Sequence, residues 1–99
     1  MTKTEHLLTI AAEECAEIAH RISKALRFGL NEVQAGQDKT NAERVMEEFY
    51  DFVAVIEWLT EEGHLPPMRV RNVEAAVEAK KAKIRRYFQI SVEQGTLQE

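Results

Sequence analysis

Cysteine occurs once in this chain, at Cys15, so no intrachain disulfide can staple the fold. No apolar run approaches the roughly 18 residues of a membrane span. The opening Met1-Thr2-Lys3-Thr4-Glu5-His6 has neither the apolar core nor the cleavage site of a secretory signal. A cytoplasmic protein with no membrane partner is therefore expected. The four glycines, Gly29, Gly36, Gly63 and Gly95, stand apart from one another, which excludes a glycine-rich phosphate loop. Positive charge is not in excess either: the net charge is −4, with the acid spread along the chain, and no nucleic-acid polymer is expected as a partner. Internal repeats and low-complexity tracts are lacking.

What is present is helical periodicity between clear punctuation marks. Thr2-x-x-Glu5 and Thr40-x-x-Glu43 have the form of capping boxes, each announcing a helix start. The first helix is expected over 3–28 and stops at Gly29, a residue suited to the left-handed position after a helix. Residues 30–39 are polar and glycine-punctuated and read as a loop. It is longer than the roughly 2 to 8 residues of an ordinary helix connection, an excess often found where a site keeps its lid. The second helix is expected over 41–62, ended by Gly63 and Pro66-Pro67, and the third over 67–94, with a proline in its first turn and Gly95 as its stop. A chain of 99 residues makes one domain, 1–99, and buries a limited share of its surface alone, while 44% of its residues are hydrophobic. The expected fold is all-α, an antiparallel up-down-up bundle of about three helices. From Phe49 to Leu59 the second helix is apolar almost all round, more than two neighbours can cover. A homodimer or homotetramer, completing a four-helix-bundle-like core, is expected to cover it.

Carboxylates interrupt this apolar pattern at two places. At about 100° per residue, with Glu14 at zero, Leu7, Ala11, Cys15, Ile18, Ile22 and Ala25 fall at roughly 20° to 100°, and Glu17 at about −60°. Cys15 reads as a packing residue in that stripe rather than a nucleophile. On the second helix, with Glu48 at zero, Val45, Phe49, Phe52, Val53, Ile56 and Leu59 fall at about 20° to 140°, and Asp51 at about −60°, between Val55 and Trp58. An antiparallel hairpin can bring Glu14, Glu17, Glu48 and Asp51 level with each other. Four such groups repel unless protonated, paired or bound to metal. The plain alternative is pairing of Glu14 and Glu17 with Arg21 and Lys24 on their own helix. It has no counterpart on the second helix beyond Arg44, one turn before Glu48. A divalent-metal site is therefore expected, with oxygen-only ligands suited to Mg²⁺ and to Mn²⁺ as a substitute. A ferritin-like di-iron centre is the rival, since Glu17-x-x-His20 fits its pattern. Its second match, Glu61-x-x-His64, lies at a helix end, too far along to share the level, and His20 reads as an ordinary exposed histidine.

Glu13-Glu14-Cys15-Ala16-Glu17, followed at a distance by Glu48-Phe49-Tyr50-Asp51, resembles the EExxE and ExxD motifs of the MazG-like all-α nucleoside triphosphate pyrophosphohydrolase superfamily. That group also holds the phosphoribosyl-ATP pyrophosphatases and the dimeric dUTPases. The basic run Lys80-Lys81-Ala82-Lys83-Ile84-Arg85-Arg86-Tyr87 looks like the family's third helix, and the likeness covers about residues 5 to 95. The resemblance implies hydrolysis of a nucleoside triphosphate between its α and β phosphates, to a nucleoside monophosphate and pyrophosphate. It implies that Glu14, Glu17, Glu48 and Asp51 hold Mg²⁺, that Glu14 or Glu13 activates the attacking water, and that Lys24, Lys80, Lys83 and Arg86 bind phosphate. Phe28, Tyr50 and Trp58 are candidates to sandwich a base, though each also reads as core. Phosphoribosyl-ATP pyrophosphatase activity, or a non-catalytic helical interaction module, are the alternatives.

Overall fold

A computed structural model describes residues 1–98, which form three helices and no strand: α1, Lys3–Phe28; α2, Asn41–Glu61; and α3, Val70–Glu93. The chain divides into two compact units, Met1–Pro67 and the segment from Met68 onward. The first is an antiparallel pair, since the start of α1 meets the end of α2 and the start of α2 meets the end of α1.

Local chemistry accounts for the ends of that pair. The Thr2 hydroxyl accepts from the Glu5 amide at 3.1 Å and the Glu5 carboxylate accepts from the Thr2 amide at 3.4 Å. Thr40 and Glu43 repeat the exchange at 3.1 and 3.0 Å. Both boxes satisfy amides that a helix start leaves without partners. α1 ends at Gly29, whose φ of 100° and ψ of 146° lie in a region open essentially to glycine rather than in the left-handed helical well expected for it. α2 ends in a paired closure: the Gly63 amide donates to the Thr60 carbonyl at 3.0 Å and the His64 amide to the Leu59 carbonyl at 2.9 Å. Gly63, at φ 79°, supplies the turn this requires.

α3 starts at Val70, three residues later than Pro67, where the sequence pattern puts it. Nothing between Leu65 and Arg69 can cap a helix, and Arg69 makes no side-chain cap bond. The prolines therefore lie in an irregular stretch ahead of the helix. No side chain of α3 is buried. No helix of the described residues is long and apolar enough to cross a membrane.

The core of the first unit is Leu7 and Ala11 of α1 against Val55 and Leu59 of α2, flanked by Ile10, Phe52, Ile56 and Leu65. A polar clasp closes its free end. Lys3 Nζ donates to Glu62 Oε1 at 2.5 Å, Trp58 Nε1 donates to the same oxygen at 3.1 Å, and Thr4 Oγ1 bonds His64 Nε2 at 3.0 Å. At the loop end, the Asn41 and Ala42 amides donate to the Glu32 and Leu30 carbonyls at 2.9 and 3.0 Å.

The buried arcs are narrower than the apolar arcs of the sequence. On α1, Leu7, Ala11 and Ala25 are buried, at about 20° to 60° from Glu14, whereas Cys15 and Ile22, at about 80° to 100°, are exposed. The packing role expected for Cys15 is thus not met within the chain, because the contact with α2 covers only the middle of the stripe. On α2, Asn41, Val55 and Leu59 are buried within about 20° of Glu48 itself. Phe49, Tyr50 and Trp58 are 44%, 61% and 49% exposed and Phe28 is 49% exposed, so none of these aromatic residues is core.

Candidate metal centre

Because the α2 seam is centred on the direction of Glu48, that carboxylate projects toward α1, and Asp51 follows one turn later on the same side. Glu14 stands at the edge of the buried stripe of α1. Glu14, Glu48 and Asp51 each offer a carboxylate oxygen, and the three oxygens lie within 4.8 Å of one another. Glu14 and Glu48 are half-buried and Asp51 is exposed.

Three of the four carboxylates that the sequence places level with each other are therefore together, contributed by two helices. Glu17 is exposed and stands outside this group, although its charge still acts on Glu14. Glu13, exposed, is also outside it and acts on Glu14 in the same sense.

No lysine, arginine or histidine forms an ion pair with the group among the described residues. Among the described residues, none of Glu14, Glu17, Glu48 and Asp51 forms an ion pair; the carboxylates that do are Glu62 with Lys3, Glu47 with Lys39, and Glu78 with Lys81. The pairing of Glu14 and Glu17 with Arg21 and Lys24 is not formed. Arg44, one turn before Glu48, donates instead to Gln34 Oε1 at 2.9 Å. Among the described residues, two buried side-chain polar atoms are left without any hydrogen-bond partner, Glu14 Oε2 and Arg21 Nε. Three carboxylates contributed by two helices, one of them with an orphaned oxygen, are a group that can hold a divalent cation.

Desolvation, and then the charges of Asp51, Glu48, Glu17 and Glu13, raise the pKa of Glu14 above its ordinary 4.5. Between 4.5 and that raised value the folded protein holds a proton that the unfolded chain has released. Metal-free stability therefore falls as pH rises through this window. Glu43, through its bonds to Thr40, and Glu62, through its bond to Lys3, have lowered pKa values, and their contribution is lost only as pH falls below 4.5. Thermal melts of metal-free protein from pH 4.5 to neutrality should show a declining melting temperature. Glu14→Gln should flatten that decline and melt higher at neutral pH, where an unchanged slope would show that Glu14 is not the group responsible.

The phosphate-binding residues expected from the sequence lie on both units. Lys24 is half-buried on α1, on the carboxylate side of the helix, with its Nζ 5.7 Å from the centre of the Phe28 ring. Lys80, Lys83 and Arg86 are exposed on α3, where the Arg86 guanidinium lies 5.4 Å from the Tyr87 ring centre. The second Glu-x-x-His match of the di-iron pattern is at the far end of the pair, with His64 bonded to Thr4. Sequence reasoning missed Asn41, which is 3% exposed and donates through Nδ2 to the Gly29 carbonyl at 2.8 Å and to Glu32 Oε1 at 3.2 Å. Its signal was its angle, about 20° from Glu48 on α2.

Compared with family models, with curated proteins and with solved structures, the chain matches none.

Proposed function

We propose that the protein is a Mg²⁺-dependent nucleotide pyrophosphohydrolase, cleaving (d)NTPs between the α and β phosphates to a nucleoside monophosphate and pyrophosphate. The observation that carries this reading is the meeting of Glu14, Glu48 and Asp51 from two helices with no ion pair to a lysine, arginine or histidine among the described residues. The orphaned Glu14 Oε2 and the likeness of the two carboxylate motifs to the MazG-like superfamily point the same way.

Glu14, Glu48 and Asp51 would hold the ion, with Glu17 beside them, and Mn²⁺ would substitute for Mg²⁺. When bound, the ion neutralises phosphoryl oxygens and orients the attacking water. Glu14, or Glu13 next to it, accepts the proton of that water as its oxygen bonds to phosphorus and the bridging oxygen departs with pyrophosphate. Lys24 is assigned to the phosphates, where a cation offsets the charge that develops; Lys80, Lys83 and Arg86, the other residues that the resemblance implies for this role, belong to the second unit.

Self-association into a homodimer or homotetramer belongs to the same reading. Ile22, Leu26, Leu30, Val45 and Met46 line an open apolar groove of about 600 Å³. Contiguous apolar surface of this kind marks an interaction site.

The deciding experiment is incubation with a panel of NTPs, dNTPs and phosphoribosyl-ATP in the presence of Mg²⁺, scoring pyrophosphate separately from phosphate. Pyrophosphate from several nucleotides is the expected result. Turnover confined to phosphoribosyl-ATP would move the assignment to that pyrophosphatase, and silence from a folded protein would make the chain a binding module.

A further inference from the structure

The carboxylates occupy one end of a lane that runs along both helices of the first unit. Counting about 100° per residue from Glu14, Arg21, Lys24 and Phe28 fall at about −20°, −80° and −40°, all on the side that carries Glu14 and Glu17. Counting back from Glu48, Arg44 and Asn41 fall at about −40° and 20°, on the side that carries Glu48 and Asp51. The two helices run antiparallel, so the order along the lane is the same on both: carboxylates first, cations next, and an aromatic ring with an amide at the far end. The far end lies roughly 10 to 15 Å from Glu48 and Asp51 counted along α2 to Asn41, and roughly 21 Å from Glu14 counted along α1 to Phe28, at 1.5 Å per residue. A nucleotide has this order of chemistry, from metal-bound phosphates to a flat polar base.

The far end is also a cavity. Lys24, Phe28, Glu32, Gln34 and Asn41 line about 180 Å³ there. Its polar groups are held in place. Asn41 is almost fully buried, and both hydrogens of its side-chain amide are committed, one to the Gly29 carbonyl and one to Glu32 Oε1. The Asn41 backbone amide binds the Glu32 carbonyl as well, at 2.9 Å. Glu32 is thereby fixed at main chain and side chain, and no lysine, arginine or histidine pairs with it among the described residues. Gln34 Oε1 is occupied by Arg44, which leaves the Gln34 amide nitrogen as a donor.

Resting on the pyrophosphohydrolase reading above, we infer that this cavity receives the base of the nucleotide and that Glu32 makes guanine the preferred base. A carboxylate only accepts. The base that offers two adjacent donors on one edge is guanine, through N1–H and the 2-amino group, with O6 next to them for the Gln34 amide. Uracil and thymine present a single N–H between two carbonyl oxygens, which sets an acceptor against the carboxylate. Adenine and cytosine pair an amino group with a ring acceptor. A site built around a fixed polar group discriminates strongly against a ligand that leaves that group unpaired. Phe28, half exposed at the wall of the cavity, supplies a ring face for the base.

The test is calorimetric titration of the whole chain with GMP, IMP and UMP, alongside pyrophosphate release from GTP, ITP and UTP with Mg²⁺. GMP should bind at least about 10-fold more tightly than UMP, with IMP, which lacks the 2-amino donor, in between. Glu32→Gln keeps an acceptor for Asn41 and should retain the helical fold by circular dichroism, yet bring GMP down to the level of IMP. Equal affinity for the three nucleotides, or a GMP preference that survives Glu32→Gln, overturns the inference. Selective GMP binding without pyrophosphate release would overturn the hydrolase reading and leave the base pocket standing. Pyrophosphate release from every nucleotide at one rate would do the reverse.

Discussion

Replacing Glu48 with glutamine is expected to abolish pyrophosphate release while the α1–α2 pair keeps its fold. Glutamine matches glutamate in shape, and Glu48 makes no ion pair among the described residues, so little packing is lost. What goes is one of three carboxylates meeting within 4.8 Å. Residues that merely support a metal ligand are worth about 10- to 100-fold in affinity or rate, and a ligand itself should exceed that, so the loss should be more than about 100-fold. Without metal, the variant should melt higher than wild type, since Glu48 is one of the charges that raise the pKa of Glu14. Loss of activity joined to a gain in metal-free stability distinguishes a charge-crowded site from an ordinary structural residue. An unchanged rate would remove Glu48 from the chemistry altogether.

Leu59→Ala should have the opposite signature. Among the described residues, Leu59 is the one large side chain with no solvent exposure, and it packs with Leu7 and Ala11 of α1 and Val55 of α2. Truncating a buried leucine costs about 2 to 5 kcal/mol, the spread reflecting how far the neighbours collapse into the space. A domain of about 100 residues has only about 5 to 15 kcal/mol of stability in total. Each kcal/mol moves the melting temperature of a small domain by about 4 to 8 °C, so a fall of about 10 °C or more is expected in thermal denaturation. Leu59 lies eight residues beyond Asp51, roughly 12 Å along α2, so any Leu59→Ala protein that stays folded should retain turnover per folded molecule. A melting temperature within a degree or two of wild type would show that the α1–α2 seam does not hold this unit together.

Where the sequence states its chemistry twice, its reading and the structure agree. Thr2 with Glu5 and Thr40 with Glu43 form the expected boxes, and α1 and α2 begin beside them. The start of α3 was not legible, because Pro66-Pro67-Met68-Arg69 holds two residues that suit a first turn and none that caps one. Cys15, Tyr50 and Trp58 show a second kind of limit. Angles around a helix say which residues share a face, but not how wide an arc the neighbour covers, and α2 covers about half of what the α1 pattern offers. The carboxylates were legible because spacing of three on two antiparallel helices fixes both their direction and their level. Glu17 stands apart since, at about −60°, it has turned away from the seam that Glu14 borders. Asp51 has the same angle on α2 and still joins the group, a difference between the helices that periodicity does not contain. The inward direction of Asn41 is contained in its angle on α2, but its meeting with Glu32 depends on the path of the loop, where no periodicity operates.

The most direct measurement is a calorimetric titration of metal-free protein with Mg²⁺, repeated on Glu48→Gln and Asp51→Asn. Carboxylates of α1 and α2 that share a cation predict saturable binding of Mg²⁺ by wild type, lost in each variant. Binding heats that both substitutions leave unchanged, or wild-type protein that takes up no Mg²⁺, would contradict a shared metal site.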